Sequence, residues 1–511
     1  MPDPHAKVLI VGAGPTGLAL ALNLVRAGVS VRIISGASGP GETSRAMAML
    51  ARTLELYDRF GLAEAMIADG VKVEAMHLRE GGAGGDREVA RVPLGQIGVG
   101  LTPYSFVLAY PQDAQERLLT EALEAEGCAI EWNVRLAGFA QGPDSVRAEL
   151  QHGDGRKEDA EVEWLCGCDG AHSVVRETLG IGFPGGTYEL LFYVADAEVA
   201  EGFQPDFFLN LGPDIVALML PVRTNGMQRL IGLVPRKLRE RPDLSFEDIR
   251  AEVEPLLGFK VKTVNWFSTY RVHHRVAEQF HIGRAFLLGD AGHVHSPVGG
   301  QGMNTGVGDA MNLGWKLAQV AKGRAPASLL DTYEPERIAF ARRLVRTTDR
   351  LFTAAVASGA PGAFARRFAL PTLVRLGTEI GAGRRLFFRT LSQLALSYPD
   401  SPLSFGSAGS LRGGDRMPWT GHGGPDNFAP LRSLGWQVHL HGEPSIHLRE
   451  QMKLAGLPTH IFPWSEAAQQ AGILRGAAYC VRPDGYIGFA APPDVAPVGL
   501  RSYIERVGIR T

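Results

Sequence analysis

Residues 7–35 read KVLIVGAGPTGLALALNLVRAGVSVRIIS, and this stretch decides the fold. The apolar run 7–11 predicts a buried strand, and a glycine-rich turn follows it. Residues 18–27 have helical character, and Gly28 provides the stop expected at a helix end. The second apolar, β-branched run at 29–34 completes a β-α-β unit. The sequence therefore predicts a parallel sheet that begins within the first 35 residues.

The turn after the first strand contains Gly12-x-Gly14-x-x-Gly17, the dinucleotide-binding fingerprint in its proper context. Gly12 permits the tight turn, Gly14 lets the backbone approach a pyrophosphate, and Gly17 allows close packing of helix and strand. Pro15 and Thr16 open the helix, whose amides and dipole stabilise negative charge. The turn alone leaves FAD, NAD and NADP open as ligands.

Ser35 stands where this fingerprint usually has an acid that holds the ribose hydroxyls. A serine can still bond a ribose hydroxyl, more weakly than a carboxylate would. Alternatively, Glu42 reaches the sugar, or the loss weakens retention of the cofactor. A serine is also compatible with NADP, because a 2′-phosphate repels an acid.

The 511 residues suggest two to four domains, and 45% hydrophobic with 21% charged residues is ordinary for a globular enzyme. The 52 basic and 54 acidic residues nearly balance, which argues against nucleic acid or an anionic membrane as the partner. Four cysteines without a C-x-x-C pair indicate neither a disulfide scaffold nor a zinc site, and favour the reducing cytoplasm. There is no run of 18 apolar residues, so a membrane-spanning helix is not expected.

Further along the chain, the pattern alternates between helical and strand-like segments. The predicted helices are 48–60, 113–126, 304–321 and 329–350. Residues 80–86 predict a hairpin loop, and the strand-like region from 182 to 267 predicts an inserted sheet. Residues 357–362 and 404–414 are interpreted as linkers before a last, small α/β unit.

Two further segments accompany the first turn. Asp169-Gly170-Ala171-His172-Ser173-Val174-Val175-Arg176 follows a predicted strand, and residues 283–293 end another strand at Gly289-Asp290. Together the three segments resemble the signature of the FAD-dependent aromatic hydroxylases, single-component flavoprotein monooxygenases with the para-hydroxybenzoate hydroxylase fold. The resemblance continues through residues 414–418 and 481–485, which look like the thioredoxin-like C-terminal domain of the phenol and polyketide hydroxylase branch.

This resemblance implies an α/β fold with four segments. A Rossmann-like FAD-binding domain spans 1–181, with a hairpin at 71–100 that contributes to the substrate side. A sheet-based substrate domain is inserted at 182–268. The FAD-binding domain then resumes with a helical connector at 269–400, and a thioredoxin-like domain spans 405–511.

The resemblance also assigns cofactor-binding roles. Asp290 matches the aspartate that accepts hydrogen bonds from the ribityl chain of FAD. The carbonyl of Pro297 is expected to face the flavin, and the segment that lines its pyrimidine ring comprises Gly300, Gly302, Met303 and Asn304. Arg45 matches an arginine at the pyrophosphate, Gln112 a glutamine that contacts FAD, and Val134 a backbone contact to the adenine.

Asp169 has two interpretations that can both hold. In the family, its segment supports the FAD pyrophosphate region and transient NADPH binding. Structurally, Asp169 would cap a turn and pair with an arginine such as Arg176.

The implied function is an FAD- and NADPH-dependent monooxygenase that hydroxylates a phenolic or polycyclic aromatic, polyketide-like substrate with dioxygen, through a flavin C4a-hydroperoxide. The cofactor carries that chemistry, and no catalytic residue is identified from sequence. Alternatives are a Baeyer–Villiger-type or other flavin oxidation, and a non-catalytic binder of a reactive biosynthetic intermediate. Phe207, Phe208, Leu218 and Leu220 are candidate pocket residues.

Several conspicuous residues are given a structural role. His293 and His295 lack further ligands at metal spacing, so no metal is expected. Cys480 is alone in the C-terminal unit, which is therefore assigned no redox chemistry. We expect that unit to brace the structure or to mediate formation of a homodimer.

Overall fold

The structure, a computed structural model, describes residues 5–41, 46–80, 87–212, 216–223, 226–241, 243–296, 299–356, 372 and 381–509. Within these ranges the α-helices are α1 (Pro15–Arg26), α2 (Ala51–Asp58), α3 (Ala63–Asp69), α4 (Leu94–Ile97), α5 (Gln112–Ala125), α6 (Val174–Thr178), α7 (Phe246–Leu257), α8 (Gln301–Ala321), α9 (Tyr333–Val356), α10 (Gly381–Leu391), α11 (Ile446–Ala455), α12 (Glu466–Gln470) and α13 (Ala496–Val507).

The strands of the first half are β1 (Val8–Val11), β2 (Val31–Ser35), β3 (Ala48–Met49), β4 (Val71–Val73), β5 (Met76–Glu80), β6 (Arg87–Val92), β7 (Val107–Ala109), β8 (Ile130–Trp132), β9 (Val134–Gln141), β10 (Val146–His152), β11 (Lys157–Val162), β12 (Trp164–Gly167) and β13 (Gly185–Val199). Those of the second half are β14 (Phe207–Leu211), β15 (Val216–Pro221), β16 (Met227–Leu233), β17 (Val261–Val276), β18 (His281–Ile282), β19 (Ala285–Leu287), β20 (His293–Val294), β21 (Phe405–Ala408), β22 (Leu411–Arg412), β23 (Gln437–His441), β24 (Thr459–Phe462), β25 (Ala478–Val481) and β26 (Ile487–Ala491).

The predicted β-α-β unit lies at the centre of a six-stranded sheet with the order β18-β19-β12-β1-β2-β8. The strands from β19 to β8 are parallel to their neighbours, and only β18 runs the other way. β1 and β12 are buried along their whole length, as expected of parallel strands covered on both faces. Helices α1 and α8 pack together, and Gly314 of α8 lies close to the Asn23 side chain of α1.

An eight-stranded sheet has the order β20-β17-β13-β16-β15-β14-β5-β6. β5 and β6 form the antiparallel arms on either side of the predicted 80–86 loop, of which residues 81–86 lie outside the described residues. β5 pairs with β14, so the 71–100 hairpin joins the sheet built mainly from 182–268. β17 continues to Val276, and the boundary predicted at residue 268 therefore falls within a strand.

The last unit runs β23-α11-β24-α12-β25-β26-α13, with the sheet order β22-β21-β26-β25-β23-β24. β24 is parallel to β23, whereas β25 and β26 are each antiparallel to the preceding strand in the sheet. This connectivity supports the thioredoxin-like assignment, which stays a prediction. The linker predicted at 404–414 is wrong, because β21 and β22 form an edge hairpin there.

Buried charged groups tie this last unit to helices α8 and α9. Glu336 of α9 accepts hydrogen bonds from Lys316 of α8 at 2.8 Å and from Arg482 at 2.7 Å. Arg482 also donates a hydrogen bond to Asp484, so the two cations and two carboxylates of this buried group balance. Since removal of one partner from such a buried set leaves an unpaired charge, these contacts fix how the two units dock. Across the described part of the chain, no helix is both long and apolar enough to cross a membrane.

Three histidines cluster in the last sheet. His439 and His441 lie on β23, and His460 of β24 is the register partner of His439. His439 and His441 are fully buried, and both ring nitrogens of His441 lack a partner among the described residues. Burial lowers the pKa of His441 to about 4.

The His441 pKa lies below the usual value for histidine, so the unfolded chain binds this proton first as the pH falls. The contribution of neutral His441 to stability is therefore complete above about pH 6.5 and is lost as the pH falls towards 4. Between pH 7 and pH 4.5, we expect the free energy of unfolding to fall about 2 kcal/mol further in the wild type than in His441→Phe. Urea unfolding at both pH values measures the difference, and equal falls would contradict the assignment.

Candidate functional site

The three sequence motifs meet at one edge of the parallel sheet. Gly12 follows β1, Asp169 follows β12 and Asp290 follows β19, and these strands are direct neighbours. Because parallel strands end at the same edge, segments far apart in sequence are brought together there. This edge is where ligands bind in open α/β sheets.

The first turn is held by backbone contacts that exclude side chains. A Cβ on Gly12, which has φ +108°, would lie 2.3 Å from the carbonyl oxygen of Cys168. A Cβ on Gly17 would lie 2.0 Å from the carbonyl oxygen of Gly12. Glycine is therefore required at both positions to bring β1, β12 and α1 together.

Gly14 differs from these two glycines. A Cβ there would have no atom of the described residues within 4 Å, and its φ of −77° suits any residue. Gly14 caps α1 without a side-chain hydrogen bond, and Pro15 occupies the first turn. The turn thus presents open space beside the positive end of a helix, which fits a phosphate group.

The third motif packs directly on the first helix. Gly289 has φ +59°, and a Cβ there would lie 2.7 Å from Oγ1 of Thr16. Gly306 of α8 approaches the same hydroxyl, with a Cβ position only 2.2 Å away. Thr16 therefore fills the space between the α1 turn, the Asp290 loop and α8, and Asp290 itself is exposed at the sheet edge.

Asp309 on α8 positions this loop and was missed by the sequence analysis. Its carboxylate accepts hydrogen bonds from the Gly289 amide at 3.0 Å, His293 Nε2 at 2.7 Å and Arg337 Nε at 2.6 Å. Burial alone would raise the pKa of Asp309, but the charges of Arg337 and His293 hold it below its ordinary value. His293 therefore serves as a partner of a buried carboxylate.

The second motif is braced in a similar way. Asp169 Oδ2 accepts a hydrogen bond from the Val175 amide at 3.1 Å, which closes the turn before α6, and Ser173 caps that helix. Arg176 does not form an ion pair with Asp169 but donates to the carbonyls of Ala171 at 2.9 Å and Ala291 at 3.1 Å. The second and third motifs are thus joined through Arg176. Asp169 Oδ1 is buried without a partner among the described residues, and burial raises the pKa of this carboxyl.

The segment 299–304 forms the start of α8. Gly300 is left-handed at φ +62°, packs on Ala48, and caps the helix without a side-chain bond. α8 begins at Gln301, three residues earlier than predicted, because this glycine starts the turn. Gly302 and Met303 follow in the uncapped first turn, where free amides can stabilise negative charge.

The side chain of Asn304 makes four hydrogen bonds within the protein. Its amide group donates to the carbonyls of Ala48 and Gly300, and its oxygen accepts from Leu50 N and Thr53 Oγ1. The side chain therefore braces α8 against the segment before α2, and only the backbone is available to a cofactor.

Gln112 contacts Ala46, the first described residue after Arg45. Its side-chain oxygen Oε1 accepts a hydrogen bond from the Ala46 backbone amide at 3.3 Å, and its backbone amide donates to the Ala46 carbonyl at 3.0 Å. The neighbouring Glu116 accepts from Gly41 at 2.8 Å, so α5 holds both ends of the 42–45 segment. Glu42, Arg45 and Pro297 lie outside the described residues.

Ser35 and Val134 lie beside the last strand pair of the parallel sheet, β2 and β8. Ser35 ends β2, and its hydroxyl accepts from the Ala37 amide at 3.3 Å. Val134 is buried at the start of β9, beside Asn133, which donates to the carbonyl of Ala37 at 2.8 Å. The two predicted contacts to the adenosine end are therefore close together.

One face of the eight-stranded sheet turns towards this site. Leu220 packs with Met47 and Phe207, and Met47 precedes the β3 residue that contacts Gly300. Leu218 lies on the same face as Leu220, since alternate residues of a strand share a face. Phe208 is on the opposite face, in the cluster beneath α7, so its prediction as a pocket residue is wrong.

Arg229 lies on the site-facing side, opposite Leu220 in the sheet register. It is fully buried and pairs with Asp196 through two hydrogen bonds of 2.7 Å. Its Nη1 has no partner among the described residues. The site-facing side of the sheet, with Met47, Leu218 and Leu220, forms an apolar roof over the site. Arg229 adds a charged N–H donor to this roof, which the sequence pattern did not reveal.

Together these features fit FAD. The glycine turn offers the space and helix end for a pyrophosphate, Asp290 offers a carboxylate for a polyol, and the α8 start offers amides for the flavin ring.

Comparison with known proteins agrees with this geometry. Residues 5–348 match the family model described as FAD binding domain. The chain is 39% identical over 427 residues to 6-methylpretetramide 4-monooxygenase of Streptomyces rimosus, covering 80% of this chain and 72% of that protein. It is 34% identical over 515 residues to dialkyldecalin synthase of Streptomyces rugosporus, covering 98% of both. The structure of an anhydrotetracycline hydroxylase from Streptomyces rimosus superposes with a TM-score of 0.78 at 28% identity, covering 99% of this chain and 100% of that one.

Gly14 and Gly17 provide a matched test of the site. Gly14→Ala adds a methyl group where only a ligand would meet it, so we expect stability of the apoprotein within about 1 kcal/mol of wild type. FAD affinity should fall about tenfold or more, because the pyrophosphate loses its close approach. Gly17→Ala should instead destabilise the apoprotein, because its methyl group would overlap the Gly12 carbonyl. Urea unfolding and FAD fluorescence titration measure both effects, and a Gly14→Ala variant with wild-type FAD affinity would refute this placement.

Proposed function

The chain belongs to the FAD-dependent aromatic hydroxylases, a family of flavoprotein monooxygenases, and on that premise we propose that it uses NADPH and dioxygen to hydroxylate a phenolic or polycyclic aromatic substrate. The observation that carries the proposal is the convergence of the three motifs at one sheet edge, beneath an apolar roof.

The residues that would hold FAD fall into four groups. The turn at Gly12, Gly14, Pro15, Thr16 and Gly17 holds the pyrophosphate, together with Arg45, and Asp169 supports the same region. Ser35 and Val134 face the adenosine end, and Asp290 the ribityl chain. The flavin ring would be held by Pro297, Gly300, Gly302, Met303 and the backbone of Asn304, while Gln112 holds Ala46, the residue after Arg45.

When bound and reduced by NADPH, FAD supplies the activation of dioxygen and the transfer of one oxygen atom. The protein contributes position and environment. Asp309 and Arg337 hold the Asp290 loop through buried charged hydrogen bonds. The first turn of α8 places a positive helix end beside the ring, which stabilises negative charge there. The apolar roof residues exclude water from the reacting face.

The roof also favours a large, mostly apolar substrate with a polar oxygen. Leu218, Leu220 and Met47 offer apolar surface, and Arg229 offers one N–H donor between them and Trp266. We assign that donor to an oxygen of the substrate, since an unpaired buried guanidinium N–H is costly until it is bonded. The names of the related 6-methylpretetramide 4-monooxygenase and anhydrotetracycline hydroxylase support a polycyclic aromatic.

A second candidate is ring formation without oxygen transfer. The specific observation in its favour is the name of a relative that matches over 98% of both chains, the dialkyldecalin synthase. Under this proposal the same roof would hold a linear, reactive substrate in the conformation that cyclises, and FAD would have a structural role.

The cytoplasmic location and the homodimer stay predictions. All four cysteines are free thiols, which accords with a reducing compartment.

Oxygen incorporation separates the two candidate functions. FAD-loaded protein should oxidise NADPH faster in the presence of polycyclic phenols, and mass spectrometry should show one labelled oxygen from labelled dioxygen in the product. Ring-ester formation with one labelled oxygen would indicate Baeyer–Villiger chemistry instead. A product of unchanged mass, formed without NADPH consumption, would overturn the hydroxylase proposal in favour of cyclisation.

Arg229 should affect ligand binding more than turnover. Arg229→Lys retains a charge beside Asp196 but loses the planar fork, so we expect the Kd of the best phenolic ligand to rise about tenfold, equivalent to roughly 1.4 kcal/mol. Arg250→Lys on α7, beneath the opposite face, is the control and should leave the Kd unchanged. Ligand-induced changes in flavin absorbance measure binding. If Arg229→Lys binds as tightly as the control, its assigned role is wrong.

A further inference from the structure

A second buried arginine, Arg59, lines a cavity where the residue after α2 meets the last unit. Arg59 is only 6% exposed. Its Nη2 donates to the carbonyl of Leu431 at 3.1 Å, while Nε and Nη1 are buried without any partner in the described structure.

The cavity beside Arg59 has room for about one water-sized group, about 10 Å³. It is bordered by two segments, and its lining residues are Arg52, Glu55, Asp58, Phe428, Leu431 and Gly485. Gly485 has φ +82°, and a Cβ there would lie 3.7 Å from Nη2 of Arg52 and 3.8 Å from Nη1 of Arg59. Two guanidinium groups therefore approach the same small space over this glycine.

The two acids that line the cavity are already neutralised. Glu55 accepts hydrogen bonds from Arg52 at 3.0 Å and Arg416 at 2.8 Å. Asp58 pairs with Arg432 at 2.8 Å. No described carboxylate lies within ion-pair distance of Arg59. Burial, and then the neighbouring charge of Arg52, lower the pKa of Arg59 to about 9.

We propose that this cavity binds a small monovalent anion of the halide class, such as chloride or bromide, held by Arg59 Nε and Nη1 and by the field of Arg52. A water molecule would satisfy the hydrogen bonds but would leave the buried charge uncompensated, and buried charges are ordinarily paired. The cavity is too small for phosphate or a carboxylate. Occupancy would stabilise the contact between α2 and the last unit.

Bromide tests the site directly. Crystals of the FAD-loaded full chain grown in sodium bromide should show an anomalous peak between Arg59 and Gly485, and a peak absent or replaced by water alone would overturn the proposal. This measurement needs no variant and is independent of the reaction that the enzyme catalyses.

Solution measurements provide the second arm. At equal ionic strength, sodium chloride should raise the Tm above that in sodium gluconate by about 2 °C or more, and the rise should saturate. Arg59→Met should lose this response. Arg501→Met, which removes an exposed arginine of the last unit that does not line the cavity, should keep it. An unchanged chloride response in Arg59→Met, or none in the wild type, would refute halide binding, and phosphate should produce no saturable rise at the same ionic strength.

Discussion

At Gly12 and Gly17 the backbone leaves no space for a side chain, and the architecture of the sheet edge follows from this constraint. The carbonyl of Cys168 lies where a Gly12 side chain would begin, so β1 and β12 can end side by side with α1 directly above them. Thr16 then fits between Gly289 and Gly306, which sets the distance between this turn, the Asp290 loop and α8. Gly14 lies outside that packing, and a Cβ there would have no described atom within 4 Å, which is why we propose a phosphate at this turn.

Buried ion pairs hold the loop that bears Asp290 in the position that these glycines permit. Asp309 binds the Gly289 amide, His293 and Arg337, so the loop that bears Asp290 is anchored from α8 and α9. The residue before Arg337 is Glu336, which binds Arg482 of the last unit. Through these adjacent residues on α9, the C-terminal unit and the cofactor loop share one support.

The sequence predicted those features that depend on local spacing. Strand, glycine turn and helix at 7–27 are neighbours along the chain, and Asp290 ends a short apolar run, so both were recognisable. Asp309 and Arg337 were not recognisable. Their hydrogen-bond partners lie 20 and 28 residues away in sequence, and no periodic pattern indicates a contact over such a separation. Phe207 and Phe208 were both named as pocket candidates although neighbouring strand residues point to opposite faces, and the sequence does not indicate which face α7 covers. The prediction of a linker at 404–414 was wrong, because glycine and serine occur in an edge hairpin as readily as in a loop.

The central claim is that these three motifs form one FAD site. A crystal structure of the FAD-loaded chain tests it most directly. The account predicts the pyrophosphate over Gly14 within hydrogen-bond distance of the first α1 amides, the Asp290 carboxylate on the ribityl chain, and the flavin ring between the α8 start and the face that carries Leu220. A pyrophosphate elsewhere, or a ring placed against the α7 face of the sheet, would contradict it.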